Sequence, residues 1–150
     1  TSFEGAARRF EKLTERAGFV SFRDFAHAPS KLKATLTGAR KQFPNHKLIG
    51  VFELHTYSSL SASFIDQYSD SLAPCDASAV FFSKHALQLK RLPDLSTTAV
   101  QTAFNAPESL VTTDASALKA WINKAVADAD GQVCLLLMSS GTFEGMELDF

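Results

Sequence analysis

The sequence predicts a three-layer α/β fold built on an open, mostly parallel, Rossmann-like sheet, and three observations carry that prediction. First, the strand-length apolar runs Phe19-Val20-Ser21-Phe22, Leu48 to Phe52, Ala79 to Phe82 and Val133 to Met138 are nearly continuous rather than alternating. Strands of that kind are covered on both faces, as in a parallel sheet flanked by helices. Second, these runs alternate with segments of helical period, the order expected of an α/β domain. Third, 150 residues suit one domain and suffice for a packed core.

The elements follow in order. A strand begins at Phe19 and ends near Asp24. Leu32, Leu36, Ala39 and Phe43 then recur at i, i+4, i+7 and i+11, one face of a helix. Pro29 fits that helix's first turn, where its missing N–H costs nothing. Leu48 to Phe52 is the second strand. Phe64, Ile65, Tyr68 and Leu72 mark a helix that ends before Pro74, and Ala79 to Phe82 is the third strand. Ser96 is the expected N-cap of a short helix reaching Phe104. Leu110 to Thr112 is a short strand. Asp114 caps a helix whose stripe is Leu118, Trp121, Ile122, Ala125 and Val126, with Gly131 as its stop. Val133 to Met138 is the last strand.

Composition excludes several classes of partner. Fifteen basic and sixteen acidic residues give a net charge of −1, so no global field draws the chain to nucleic acid or an anionic membrane. The longest apolar run, Val133 to Met138, is far too short to span a bilayer. No positive-then-apolar leader opens the chain, and Cys75 and Cys134 lie far apart, which together suggest a reducing cytoplasm. Thr1 in place of Met suggests a piece of something longer, or a processed amino terminus. A monomer is the expected state.

In such folds ligands bind beyond the carboxyl ends of the strands. The segment Asp24-Phe25-Ala26-His27-Ala28-Pro29 lies there. It reads either as a ligand-binding turn, with Asp24 accepting from ribose hydroxyls and His27 against a base, or as a helix entrance with Asp24 bonding backbone N–H groups. His55-Thr56-Tyr57-Ser58-Ser59 could grip a polar substrate, or be a hydrophilic loop with Ser59 or Ser61 capping a helix. Ser139-Ser140-Gly141-Thr142-Phe143 could turn backbone N–H groups toward a carboxylate or phosphate, or simply end a buried strand. Lys84, Lys90 and Arg91 read as solvated charges, as Arg8 and Arg9 do on pattern alone. The chain has neither a G-x-x-x-x-G-K-[ST] loop nor a G-x-G-x-x-G fingerprint, so it lacks the usual triphosphate cradle. His27, His46, His55 and His85 show no zinc spacing.

Taken together, these segments resemble the carboxy-terminal domain of the Mur ligase family. DFAHAP, from Asp24 to Pro29, resembles that family's D-[YF]-[AG]-H-x-P turn. Phe3-x-Gly5 followed by Arg8-Arg9-Phe10-Glu11 resembles the segment that leads into the domain, placed over residues 1–16. Val51 to Leu60, His85 to Pro93 and Leu136 to Gly141 are most similar to the murein peptide ligase branch. The resemblance implies an ATP-dependent amide ligase acting through an acyl phosphate, with ATP and Mg2+ bound mainly by a central domain this chain lacks. It implies that Arg9 and Asp24 help hold ATP and that His27 lies against the nucleotide. It places Phe25, His55, Thr56, Tyr57, Ser58, Ser59, Ser139, Ser140 and Gly141 with the substrate. It implies no catalytic residue and no metal ligand in this domain, and an isolated chain that is inactive. The implied partners are UDP-N-acetylmuramate and the tripeptide L-alanyl-γ-D-glutamyl-meso-diaminopimelate. The alanine-adding relative carries arginines where Thr56 and Ser59 stand here, and commonly a second histidine where this chain has Ala28. The alternatives are that alanine-adding ligase and a non-catalytic nucleotide-binding module.

Overall fold

A computed structural model describes residues 10–150. It shows one six-stranded sheet in the order β1-β2-β6-β3-β4-β5. The strands are β1 Glu11–Arg16, β2 Phe19–Asp24, β3 Lys47–Leu54, β4 Ala77–Phe82, β5 Leu110–Thr112 and β6 Val133–Met138. All neighbours from β2 to β5 pair in parallel; β1 alone runs antiparallel, against β2. The helices are α1 Pro29–Gln42, α2 Lys84–Leu89, α3 Thr97–Phe104 and α4 Ala115–Ala127.

Side chains alternate along β3 between two cores. Leu48, Phe52 and Leu54 pack with Leu32 and Leu36 of α1 and with Tyr68 and Phe104. Ile49 and Val51 pack on the other face with Phe81, Leu135, Leu137 and the α4 residues Leu118 and Ile122. Fully burying one such aliphatic or aromatic side chain stabilises by about 1.5–3 kcal/mol. Two covered faces are the physical reason the strands read as continuous apolar runs. The caps act as the sequence suggests: Pro29 opens α1, Ser96 accepts from Ala99 N–H at 3.0 Å, and Asp114 accepts from Ser116 N–H at 2.9 Å.

Four features differ from the sequence reading. The helix expected around Phe64 to Leu72 is only a 3-10 turn, Ile65–Tyr68, set among turns. Ile65, Tyr68 and Leu72 are buried and Phe64 partly so, while backbone bonds such as Ser69 N–H to Asp66 O and Ser71 N–H to Tyr68 O close tight turns in place of a longer helix. Helix α4 stops at Asp128 rather than Gly131, through Asp128 N–H to Lys124 O. Strand β1, EKLTER, lacks an apolar run because it is an edge strand with mostly exposed side chains. It joins β2 through Ala17-Gly18, where Gly18 takes φ +78°, a conformation suited to glycine. Helix α2 falls in a stretch for which the sequence reading named no helix, and Lys84, read as a solvated charge, pairs there with Asp94 at 2.6 Å.

Candidate functional site

Strands β2, β6 and β3 lie side by side and parallel, so their carboxyl ends share one edge of the sheet. The turn from Asp24, the loop from Ser139 and the loop from His55 therefore become neighbours. Ser139 joins all three. Its N–H donates to Asp24 O at 3.0 Å, and its hydroxyl donates to Glu53 Oε1 at 2.5 Å, across 86 residues of sequence.

On the β2 side, the Asp24 carboxylate is buried. Oδ2 accepts from Phe10 N–H at 2.9 Å and Oδ1 from Ala26 N–H at 2.8 Å. Asp24 thus performs the backbone-bonding role that local pattern allowed, and pins the residue that follows Arg9. Arg9, like Phe3, Gly5 and Arg8, lies outside the described residues. His27 is half-buried, its Nδ1 3.3 Å from Phe25 O, with the Phe25 ring edge-on at 5.8 Å between centroids. Tyr68 donates to His27 O at 2.5 Å, and burial pushes its hydroxyl's pKa well above the ordinary range, so it stays a donor. A cavity of about 460 Å³, mostly apolar, opens beside this turn, lined by Phe10, Asp24, Phe25, His27, Lys31 and Thr35 among others.

On the β3 side, the loop folds on itself. Thr56 Oγ1 accepts from Ser59 N–H at 3.1 Å, and Ser59 Oγ donates back to Thr56 O at 3.0 Å. Ser59 is 1% exposed, so its side chain supports the loop from within. Tyr57 and Ser58 are exposed, Tyr57 at 62%. His55 packs over Gly141: a Cβ built on that glycine would meet the imidazole at 2.7 Å. The Ser140 hydroxyl is buried and has no hydrogen-bond partner among the described residues. A second cavity, about 370 Å³, is bounded by Ser139, Ser140, Gly141, Thr142, Phe25, Arg23 and Glu11.

Two acidic residues were missed as site residues. Glu53 is 2% exposed in a buried strand. Its Oε1 accepts from both Ser139 Oγ and Phe143 N–H (2.9 Å), and its Oε2 lies 3.9 Å from His55 Nδ1. The signal was present, since an acid inside VFEL has to find partners when buried. Glu144 follows Phe143, and both non-glycine residues hold left-handed φ, 55° and 52°. Such conformations cost about 1–3 kcal/mol each and persist where surroundings impose them. Here the buried Phe143 ring, the Glu53 bond and a 2.7 Å bond from Ser83 Oγ to Glu144 Oε2 impose it. No sequence pattern announces that geometry. Among the described residues no group of three or more His, Cys, Asp or Glu side chains is gathered to hold a metal ion, and no helix is long and apolar enough to cross a membrane.

The chain is similar in sequence and in fold to known proteins. The UDP-N-acetylmuramate–L-alanine ligase of Limosilactobacillus reuteri is 42% identical over 79 residues, which are 53% of this chain and 18% of that enzyme. That of Salinibacter ruber is 37% identical over 75 residues, 50% of this chain and 16% of the enzyme. The chain thus matches less than a fifth of the length of these curated relatives. The murein peptide ligase of Psychrobacter arcticus superposes over 92% of this chain and 28% of its own, with a TM-score of 0.69 at 22% identity. A solved domain from a Haemophilus ducreyi protein, described as a UDP-N-acetylmuramate:L-alanyl-γ-D-glutamyl-diaminopimelate ligase, covers 91% of this chain and 92% of its own. Its TM-score is 0.58 at 20% identity. At such identities the structures speak for the fold, and the second shows that a domain of this fold stands by itself. A family model described as Mur ligase, glutamate ligase domain, matches residues 8–141, nearly the whole chain. The chain belongs to the Mur ligase family, as its carboxy-terminal, glutamate ligase domain.

Proposed function

We propose that this domain serves an ATP-dependent ligase that joins the recycled tripeptide L-alanyl-γ-D-glutamyl-meso-diaminopimelate to UDP-N-acetylmuramate in peptidoglycan recycling. The observation that carries the reading is the loop after β3. By the family resemblance, Thr56 and Ser59 stand where the alanine-adding relatives carry arginines, and here Ser59 is folded inward against Thr56. A compact amino acid suits a pair of arginines, whereas a peptide needs room near its amine. Tyr57 and Ser58 are exposed and His55 packs on Gly141, so these residues would lie along such a peptide.

The domain's part in the reaction is to bind and orient. Asp24 and His27 would face the nucleotide, beside the cavity at the β2 turn, and the family resemblance assigns Arg9 to the same ligand. The β3 and β6 loops would hold the acceptor amine close to the activated carboxylate and exclude water from it. ATP supplies the activation, and Mg2+ falls to the central domain of a longer chain. The isolated domain is then inactive, because its sequence has no phosphate loop.

A second reading has its own support. The curated relatives that share about 40% identity over half the chain are alanine ligases. One competition assay separates the two: full-length enzyme with ATP, UDP-N-acetylmuramate and both amines at equal concentration. The tripeptide is expected to be incorporated in preference. Equal or greater incorporation of free alanine moves the assignment to the alanine-adding branch.

A further inference from the structure

We infer that Arg23 is a specificity-determining residue that binds a carboxylate of the acceptor. This rests on the reading of the β6 loop as the acceptor side of the site. Arg23 stands one residue before Asp24 on β2, and successive strand residues face opposite sides of the sheet. Asp24 turns toward the α1 face; Arg23 turns to the other, beside the 139–142 loop. Its side chain is exposed and makes no ion pair or side-chain hydrogen bond among the described residues. Glu11 is its cross-strand neighbour and bounds the same cavity, yet the two form no ion pair.

What surrounds Arg23 is suited to an anion. Ser139, Ser140, Gly141 and Thr142 line the cavity with it. The Ser140 hydroxyl there has no hydrogen-bond partner among the described residues and can turn toward a ligand oxygen. A guanidinium offers paired N–H donors that match the two oxygens of a carboxylate. Any amino-acid or peptide acceptor carries at least one carboxylate, and the loop after β3 has no cation in Thr56 to Ser59 to receive it. The charge absent from β3 is available from β2, on the other side of β6. That placement sets the carboxylate farther from the β3 loop, which suits a longer acceptor.

The test uses full-length ligase with Arg23→Gln and Arg23→Lys, and acceptors amidated singly at each carboxylate. Arg23→Gln is expected to raise the acceptor KM roughly tenfold or more, the loss of one charge-assisted contact. The KM values for ATP and UDP-N-acetylmuramate should stay the same, and kcat should change little. Arg23→Lys, keeping charge but not the fork, should fall between. Amidating the carboxylate that Arg23 holds should penalise the wild type and cost Arg23→Gln nothing further. Thermal unfolding checks that both variants fold. An unchanged acceptor KM, or an amidation penalty that persists undiminished in Arg23→Gln, overturns the assignment. If free alanine proves to be the acceptor, the tripeptide reading fails while Arg23 is still tested with alaninamide. If neither amine is ligated, both fall.

Discussion

The imidazole of His55 fills the space that a side chain on Gly141 would need. The contact joins the loops after β3 and β6, and it explains a glycine that has no unusual φ to require it. Gly141→Ala must displace the His55 ring. His55 is partly exposed and can swing outward, so unfolding stability should shift by less than about 1 kcal/mol. The acceptor KM in the full-length ligase should rise several-fold, because the ring leaves its place. Steady-state kinetics with varied acceptor decide this; an unchanged KM would mean that the contact is only packing.

Glu53 anchors the same loops from beneath. Glu53→Ala leaves Phe143 N–H and Ser139 Oγ without their acceptor in a buried site. The expected loss is about 2–4 kcal/mol, since each unsatisfied buried group costs about 1–3 kcal/mol. Glu53→Gln keeps one oxygen for both donors and should lose clearly less. Urea unfolding of the 150-residue chain measures both, and equal midpoints for wild type and Glu53→Ala would refute the clamp.

Asp24 has a structural duty that any test of nucleotide binding has to separate out. Asp24→Ala removes the acceptor for Phe10 and Ala26 N–H and should destabilise the chain by about 2–4 kcal/mol. Asp24→Asn keeps an acceptor oxygen for one of them, so it is the better probe of ATP use in the full-length enzyme. A rise in the KM for ATP in Asp24→Asn, with a smaller loss of stability than in Asp24→Ala, is the expected result. Wild-type ATP dependence in that folded variant would remove Asp24 from the nucleotide site.

Asp76 supplies a pH dependence whose sign is fixed. Burial alone would raise its pKa. The Arg40 guanidinium at 2.6 Å and the Leu48 N–H outweigh burial and hold the carboxyl below the ordinary carboxylate value. A depressed folded pKa adds stability that is present above the unfolded value, about pH 4. That stability is lost as pH falls through the lowered folded value. The Asp76 side chain is 49% exposed, so solvent screening keeps the contribution below about 1 kcal/mol. Asp76→Asn should therefore be slightly less stable than wild type at pH 7, with the gap closing below about pH 4. A gap that is constant over that range would count against the ion pair.

What could be read from the sequence followed from burial. Leu32, Leu36 and Ala39 announced α1, and the run from Val133 to Met138 announced β6, because side chains hidden from water leave a period or a run. Strand β1 left none, being held by pairing rather than by burial of its side chains. The site was legible as three strand-end segments, but not as a connected unit. Glu53 reaches Ser139 and Phe143 only once β6 lies beside β3, and register between distant strands is not written in either one. The inward fold of Ser59 was equally hidden, since a serine reads alike whether it faces substrate or its own loop.

Because β6 follows the other five described strands in sequence yet lies between β2 and β3, the sheet acquires its middle only after all of them have been made. Until Met138 has left the ribosome, β2 and β3 have no shared partner, and the two cores stand open along the line where β6 will lie. Pairing that waits for distant residues is slow and exposes apolar surface meanwhile. A nascent chain stopped short of β6 would be a natural client for a chaperone, and a premature stop codon between β5 and β6 would leave β1-β2 and β3-β4-β5 with no strand to join them.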